Sequence, residues 1–484
     1  MTCRTASGAL WRRPPRRTFC SEAARSRVRG LVSGEQAHVR PVVGAEKAAV
    51  DKQLREGERS TVVAQDAVYS VEANQVAANN PIEDYYAAGK CVPSSAWLFG
   101  VFDGHAGASC SRHVASRLLD YICASMLRKH LDPGAQMPIE QRLQWLFSSS
   151  ESRLPEIFRE QHLANVQSFH RAFLASADMS TVRKALQGAF LALDEDISNG
   201  AMPDREGRVS RAHAAVATAG SCAIVAHIMG PHLHIANVGD SAAVLGVCGA
   251  NGSWSARQLS REHCTDNPDE VKRIRTAHPA REANSVLKNG RLLGQLFPLR
   301  AFGDVRFKWT AELQNVVLSP IYGKGATPPG LDTPPYLTAA PDVYYHRLTA
   351  NDRFLVLASD GVWEWLQPET VVRLVSDHML GAQTLNPYQP GQNMTLRQIM
   401  DDLNNRKAGV AKRPIDENCA THLIRHAIGG TTGTGGTEMQ YRRLVESLQL
   451  PPGVARDVRD DMTITVIFFD QNYLSDVGDK DDTS

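Results

Sequence analysis

Acidic residues recur at the ends of short apolar segments along this sequence, where their carboxylates could act together. Three follow such segments directly, two precede another segment, and two lie beside a turn. These residues are Glu83, Asp84, Asp103, Asp240, Asp360, Asp460 and Asp461. A carboxylate at a strand end is costly to remove from water unless a cation or a hydrogen-bond donor meets it. If several converged at one edge of a sheet, they would form an oxygen-rich site of the kind that Mg²⁺ and Mn²⁺ prefer.

Each of these acids also has a purely structural interpretation. Asp103 lies in an Asp-Gly dipeptide, which is common in turns, and Asp240 could belong to a hairpin turn. Asp460 and Asp461 could be a solvated pair before a strand. Spacing alone therefore indicates a metal site only as a hypothesis.

The segments between the acids predict the elements that must position them. Alternating or continuous apolar residues predict strands at 61–71, 97–102, 221–229, 232–238, 242–247, 254–259, 354–358 and 462–469. Helical spacing of apolar residues predicts helices at 109–129, 181–198 and 269–278. The strands cluster in runs and do not alternate with helices as in a Rossmann fold. We therefore predict an α+β fold, an antiparallel β-sandwich of two sheets flanked by helices on both faces.

Composition limits the class of protein. The 484 residues carry a net charge of +1, which argues against general nucleic-acid binding. No run of about 18 apolar residues is present, so we predict no transmembrane helix. The nine cysteines are scattered without a CxxC pair, which is typical of a protein in a reducing compartment.

The N-terminal segment differs in composition from the rest of the chain. Residues 1–30 contain eight arginines and a single acid, Glu22, among many Ser, Thr and Ala residues. This composition is typical of a mitochondrial transit peptide, although a disordered basic tail would have a similar one.

The remaining chain is expected to form one large folded domain over residues 61–470, because candidate site residues occur near both of its ends. Residues 31–60 are polar and are expected to form a linker or an N-terminal arm. Helical insertions are expected near 130–180 and 380–450. Residues 471–484 are expected to form an acidic disordered tail.

Five segments taken together are more specific than any single acid. They are FGVFDGHAG at 99–107, NVGDS at 237–241, LRAFGD at 299–304, LASDGVW at 357–363 and RDDMT at 459–463. In this order they closely resemble the motifs of the metal-dependent protein phosphatase (PPM) family. The resemblance implies a protein serine/threonine phosphatase with the PPM sandwich fold.

Further segments resemble one branch of this family, the pyruvate dehydrogenase phosphatases. They lie outside the shared motifs, at 80–84, 252–256, 307–309, 334–339 and 420–427. The branch implies the mitochondrial matrix as location, and phosphorylated E1α of the pyruvate dehydrogenase complex as substrate. It also implies docking on a lipoyl domain of the E2 core, Ca²⁺ at a partner interface, and a regulatory subunit.

The family resemblance also implies a metal-binding role for most of the acids. Asp103 would bridge two Mg²⁺ or Mn²⁺ ions, and Asp84 and the carbonyl of Gly104 would complete parts of the two coordination shells. Asp360 and Asp460 would hold one of the ions.

Other residues have implied roles around these ions. Asp240 would share a third, looser ion with Asp360. Glu83 would orient a bound water, and Asp461 replaces a common asparagine at the edge of the metal site. His105 is the candidate general acid for the serine leaving oxygen, although a histidine after Asp-Gly could otherwise be a turn residue.

Two positions depart from the family pattern. Asn79 stands where many members carry an arginine that grips substrate phosphate, and Ala242 stands where Gly-Asp-Ser is usually followed by arginine. Phosphate would then be held mainly by metal-bound waters or by another cation.

Three other functions remain open on the sequence alone. The chain could act on another mitochondrial phosphoprotein, or it could be a non-catalytic scaffold with the same fold. The scaffold predicts loss of metal-binding carboxylates, and all of them are present. A metal-dependent nuclease would need a basic surface, against which the nearly neutral net charge argues.

Overall fold

The computed structural model describes residues 42–126, 137–148, 156–175, 181–382, 394–410, 412–431, 436–451 and 454–481. The expected transit peptide at 1–30 lies outside the described residues, as do parts of the expected arm, insertions and tail. Within the described ranges, no helix combines the length and the apolar character needed to cross a membrane.

Seventeen strands lie in the described part of the chain. They are β1 (Arg59–Gln65), β2 (Val68–Val76), β3 (Tyr85–Cys91), β4 (Ala96–Phe102), β5 (Gly104–His105), β6 (Leu143–Ser148), β7 (Gly220–Ser221), β8 (Ala223–Met229), β9 (His232–Val238), β10 (Ala242–Cys248), β11 (Trp254–Gln258), β12 (Leu287–Lys288), β13 (Arg291–Leu292), β14 (Phe302–Gly303), β15 (Asp342–Arg347), β16 (Asp352–Ala358) and β17 (Met462–Phe469).

Fourteen α-helices lie in the same described ranges. They are α1 (Gly44–Arg55), α2 (Ser109–Ser125), α3 (Glu156–Ala175), α4 (Val182–Gly200), α5 (Arg211–Thr218), α6 (Pro268–Ala277), α7 (Ala311–Val317), α8 (Ser319–Tyr322), α9 (Asp360–Trp363), α10 (Pro368–Ala382), α11 (Leu396–Val410), α12 (Cys419–Gly429), α13 (Gly436–Leu448) and α14 (Gln471–Asp481). Short 3-10 helices lie at Ile139–Gln141, Ala280–Glu282, Val305–Phe307, Lys324–Ala326 and Ala455–Asp457.

Two six-stranded antiparallel sheets form the centre of the fold. Sheet I has the strand order β1-β2-β17-β16-β10-β11, and sheet II has the order β15-β9-β8-β4-β3-β6. One apolar core between the sheets contains Phe99, Ile235, Leu355 and Ile467. The strands are also covered on their outer faces, which explains why many of them are continuous apolar runs in the sequence.

Helices cover the outer face of each sheet. Leu118 of α2 and Phe190 of α4 belong to the core on sheet II, together with residues of α3 and α5. Leu54 of α1 and Leu423 of α12 belong to the core on sheet I, together with residues of α10 and α13. The structure therefore confirms the predicted α+β fold, a two-sheet antiparallel sandwich flanked by helices on both faces.

The N-terminal arm is a packed helix. α1 buries Val50 and Leu54 against sheet I. Its first turn is anchored by Glu438, whose carboxylate accepts from the backbone N–H of Val42 and from Nζ of Lys47, each at 2.6 Å. Within the segment expected to be a linker or an N-terminal arm, Gly44–Arg55 is a helix packed on sheet I. Two apolar side chains four residues apart fix this helix within an otherwise polar segment.

The prediction of a disordered acidic tail is wrong for residues 471–481, which form α14. Asp470 Oδ1 accepts from the backbone N–H groups of Asn472 and Tyr473, at 2.9 and 3.0 Å, and so caps the helix. Leu474 is buried in the core between the sheets. A single buried leucine gives no recognisable helical period in the sequence.

One of the two expected helical insertions also contains a strand. Near 130–180 the described residues include α3, but also β6, which extends sheet II beside β3. The structure therefore has a strand at Leu143–Ser148, within the expected helical insertion. Near 380–450 the structure contains the end of α10 and helices α11, α12 and α13, and α12 packs on sheet I through Leu423 and Ile424. α12 is therefore one of the helices that cover the outer face of sheet I.

Candidate active site

The predicted acids meet at one end of the sandwich, where strands of both sheets end. β4 leads into Asp103, the β9–β10 turn contains Asp240, and α9 begins at Asp360 just after β16. Each of these three residues offers a carboxylate oxygen, and these oxygens all lie within 4.8 Å of one another. The backbone N–H of Asp360 also donates to Asp103 Oδ2, at 3.4 Å. The structure thus gathers acids that are far apart in the sequence.

Asp84 and Asp460 add negative charge to the same cluster. Asp84 is 2% exposed, and its Oδ2 has no hydrogen-bond partner in the part of the chain that the structure describes. Burial raises the pKa of Asp84 well above its ordinary value, and Asp461 raises it further. Burial also raises the pKa of Asp103, to which the nearby charges of Asp84 and Asp360 contribute. Carboxylates gathered in this way need a compensating cation, and an all-oxygen donor set fits a hard divalent ion.

Arg456 is a cation beside this acidic cluster. Its Nη1 lies 2.5 Å from Asp460 Oδ2, and its side chain remains 49% exposed. Burial raises the pKa of Asp460, and the charge of Arg456 partly opposes that increase. No motif in the sequence singles out Arg456. The available signal is only its position four residues before Asp460 in the sequence.

Asp461 holds the loop that precedes β3. Its Oδ1 accepts from the backbone N–H groups of Ala78 and Asn79, at 2.5 and 2.8 Å. Its Oδ2 accepts from Asn79 Nδ2 at 3.0 Å and from the backbone N–H of Glu83 at 2.7 Å. These four donors occupy the acceptor positions of the carboxylate. Asp461 therefore positions the loop that carries Glu83 and Asp84.

Glu83 and Gly104 lie in close contact beside the cluster. The carbonyl oxygen of Glu83 accepts from Ser111 Oγ at 2.5 Å. A side chain at Gly104 would overlap both that carbonyl and Ser111 Oγ, so this close approach of the backbone requires glycine. Burial raises the pKa of the Glu83 carboxyl group. The structure thus places the backbone of Gly104 between Asp103 and the loop of Glu83.

His105 forms a close pair with Asp304. It lies on β5, which pairs with β7, and its Nε2 is 2.6 Å from Asp304 Oδ2. Burial lowers the pKa of His105, but the charge and hydrogen bond of Asp304 raise it, and the net shift is upward. A side chain at Gly220 would overlap the His105 ring and the Asp304 carboxylate, so the pair requires glycine there. The arrangement favours the protonated imidazole two residues after Asp103.

Asp304 and Cys222 contact predicted site residues, although neither is itself a predicted site residue. Asp304 has a φ of 49°, in the left-handed region, and its backbone N–H donates to the carbonyl of Ala219 at 2.9 Å. Cys222 Sγ donates to Asp240 Oδ1 at 3.1 Å. A signal for Asp304 exists, since it is the acid that ends the LRAFGD motif. Cys222 has no comparable signal.

The family of this chain follows from its sequence profile together with this site. A profile described as Protein phosphatase 2C matches residues 80–390, which is more than half of the chain. The chain belongs to the protein phosphatase 2C family, which is the PPM family. It is a metal-dependent protein serine/threonine phosphatase.

Two individual proteins of this family are similar to the chain over most of its length. The chain is 40% identical over 438 residues to "pyruvate dehydrogenase (acetyl-transferring) phosphatase 1, mitochondrial" of Rattus norvegicus, an alignment that covers 84% of this chain and 79% of the relative. It is 39% identical over 426 residues to the corresponding phosphatase 2 of Homo sapiens, with the same coverage of 84% and 79%. Among solved structures, serine-threonine phosphatase 2C from Toxoplasma gondii aligns with a TM-score of 0.42 and 16% identity, over 85% of this chain and 99% of that one.

Proposed function

We propose that this phosphatase removes phosphate from phosphoserine on the E1α subunit of the pyruvate dehydrogenase complex and so reactivates the complex. The observation that carries the chemistry is the convergence of Asp103, Asp240 and Asp360 next to His105. The substrate is supported by 40% identity, over 84% of the chain, to relatives that are named pyruvate dehydrogenase phosphatases.

We assign two divalent ions, Mg²⁺ or Mn²⁺, to the acidic cluster. Asp103 is the residue suited to bridge them, because the charges of Asp84, Asp360 and Asp460 all act on it. Asp84 and the carbonyl of Gly104 would complete parts of the two shells, and Asp360 and Asp460 would hold one ion. When bound, such ions lower the pKa of a water and neutralise negative charge on the phosphoryl group.

Asp240 would hold a third, more weakly bound ion together with Asp360. Its carboxylate belongs to the same group of oxygens as those of Asp103 and Asp360. The thiol of Cys222 donates to Asp240 Oδ1 and so orients this carboxylate. Glu83, on the loop that Asp461 holds, would orient a water molecule at the site.

His105 is the group we assign to protonate the departing serine oxygen. A serine alkoxide is a poor leaving group, so a positioned acid accelerates its departure. Asp304 supports this role because it fixes the imidazole ring at 2.6 Å and raises the pKa of His105. Asp304 would therefore act through His105 as a positioning residue.

Arg456 is suited to supply the phosphate-binding cation that position 79 lacks. The side-chain amide of Asn79 is bonded to Asp461, so it is committed to the loop. Arg456 lies beside Asp460, and half of its side chain is exposed where a substrate would approach. A guanidinium group matches two oxygens of a phosphate at once. One arginine could thus grip substrate phosphate from a different part of the chain.

The same proposal assigns a location and partners. The arginine-rich residues 1–30 have the composition of a transit peptide, and the relatives are named as mitochondrial, so the matrix is the proposed site of action. Docking on a lipoyl domain of E2, a regulatory subunit, and Ca²⁺ held at a partner interface belong to the same proposal.

The test compares intact phosphorylated pyruvate dehydrogenase complex with a free phosphoserine peptide of the same E1α sequence. Release of phosphate is measured for each substrate with and without Ca²⁺, and Asp103→Asn serves as the inactive control. We expect faster release from the complex and a further increase with Ca²⁺. Equal rates on both substrates, with no effect of Ca²⁺, would instead favour a phosphatase for another mitochondrial phosphoprotein.

A further inference from the structure

A cluster of histidines lies on sheet II, at the end of the strands opposite the acidic site. The antiparallel register of β8 and β9 pairs His227 directly with His234, and Met229 with His232. Asp240 follows His234 by six residues. At about 3.3 Å per residue, the two sites are therefore roughly 20 Å apart along the sheet. The histidines belong to neither the catalytic machinery nor its surroundings.

The side chains of His227, Met229, His232 and His234 point to the same face of sheet II. Side chains alternate along a strand, and the neighbouring residues Ile228 and Leu233 belong to the core between the two sheets. The four side chains therefore lie on the outer, helix-covered face. Tyr345, which pairs with His234 from β15, is next to them, with ring centroids of Tyr345 and His234 5.0 Å apart.

The ring nitrogens of the paired histidines lack protein partners. His227 is 1% exposed, and within the described structure neither of its ring nitrogens has a hydrogen-bond partner. Nδ1 of His234 is also buried without a partner there. Leaving buried polar groups unpaired costs free energy, and native structures rarely do so without a ligand or a water. Two adjacent imidazoles with open nitrogens are therefore a candidate ligand site.

We propose that His227, His232 and His234 bind one transition-metal ion, Zn²⁺ or Cu²⁺, with the thioether of Met229 beside them. The ring centroids of His227 and His234 are 5.7 Å apart and their planes are inclined by 71°. This separation is compatible with two nitrogens that each lie about 2.0–2.1 Å from a shared tetrahedral ion. Imidazole and thioether ligands suit these metals and do not suit Mg²⁺, so the site differs chemically from the acidic cluster.

His232 must turn its ring to complete the site. Its Nδ1 is now 2.9 Å from the hydroxyl of Tyr345. Burial lowers the pKa of His227 and of His234 to about 4, so both imidazoles are neutral near pH 7 and bind metal without releasing a proton. The charge of Arg183 also lowers the pKa of His234 and acts against a cation there. Arg183→Gln is therefore expected to strengthen binding.

The experiment uses the full chain in excess Mg²⁺, which occupies the acidic cluster. Zn²⁺ is added, unbound metal is removed by gel filtration, and the bound Zn²⁺ per chain is measured together with Tm. We expect the wild-type chain to retain one Zn²⁺ more than His234→Gln, and to show a rise in Tm with Zn²⁺ that this variant lacks. His278→Gln, which changes a histidine outside the cluster, should behave like the wild type.

A second variant distinguishes loss of metal binding from a folding defect. His232 is partly exposed, so His232→Gln should fold normally and still lose the additional Zn²⁺. With Cu²⁺, electron paramagnetic resonance should detect three coordinated nitrogens in the wild type and two in His232→Gln. If wild type and both cluster variants bind the same amount of Zn²⁺ with the same change in Tm, the proposal is overturned and the histidines only pack.

Discussion

Asp304→Asn tests the proton donor most sharply, because it removes a charge while it nearly preserves the shape of the side chain. In the structure the Asp304 side chain is 5% exposed and lies 2.6 Å from His105 Nε2. Loss of that carboxylate lowers the pKa of His105 and leaves its ring less firmly oriented. General acid catalysis contributes about 10²–10⁴-fold to a rate. We therefore expect kcat on a phosphoserine peptide to fall about 100-fold, which is about 2.7 kcal/mol.

The assay compares two substrates whose leaving groups differ. A phosphoserine peptide needs a proton on the departing oxygen, whereas p-nitrophenyl phosphate releases a stable phenolate and does not. The kcat of Asp304→Asn on p-nitrophenyl phosphate should therefore stay within about 5-fold of the wild type. Asp332→Asn, which removes a carboxylate from an exposed ion pair with Arg281, is the matched control and should change neither rate.

The pH profile gives an independent readout of the same pair. In the wild type the pKa of His105 is raised, so the protonated acid persists to higher pH. In Asp304→Asn the activity on phosphoserine should begin to fall at a lower pH, and the deficit should shrink as the pH is lowered. Equal losses on both substrates, with an unshifted profile, would mean that Asp304 supports the fold or the metals and not the proton.

Three further predictions concern other parts of the molecule. Asp103→Asn should abolish phosphate release while Tm stays near the wild-type value, and normal activity in saturating Mn²⁺ would show that the bridging role is wrong. Arg456→Gln should raise KM for a phosphopeptide about 10-fold with little change in kcat, because one charge-assisted contact is lost. The exposed Arg281→Gln is its control. An unchanged KM would mean that Arg456 does not bind the substrate phosphate. Leu474→Ala should lower the free energy of unfolding by about 2–3 kcal/mol in urea titrations without changing kcat, and an unchanged midpoint would mean that α14 does not pack.

The sequence predicts the sandwich well because central strands such as β4 and β16 are buried on both faces. The partly alternating segment 232–238 and the largely apolar segment 462–469 become β9 and β17 with the same boundaries. Segments with few apolar residues are harder to predict. α1 and α14 each depend on one or two buried side chains, such as Leu54 and Leu474, and on contacts with distant residues. Such tertiary contacts leave no local period in the sequence.

The candidate site, too, could be predicted from the sequence only in part. The aspartates could be recognised because each one follows or precedes an apolar strand. The partners of these residues could not be found in that way. Asp304 meets His105 across 199 residues of sequence, and Asp461 contacts Ala78 across 383. Only the folded chain brings these residues together, so their roles become visible only when the contacts are known.

Anomalous X-ray scattering from crystals equilibrated with Mn²⁺ shows whether the acidic cluster holds more than one divalent ion. We predict two strong manganese peaks on either side of Asp103, one of them contacting Asp360 and Asp460, with a weaker third peak near Asp240. Crystals of Asp103→Asn should lose at least one strong peak. A single peak away from Asp103, or no peak at saturating Mn²⁺ with the carboxylates still gathered, would show that the cluster is not a shared metal site.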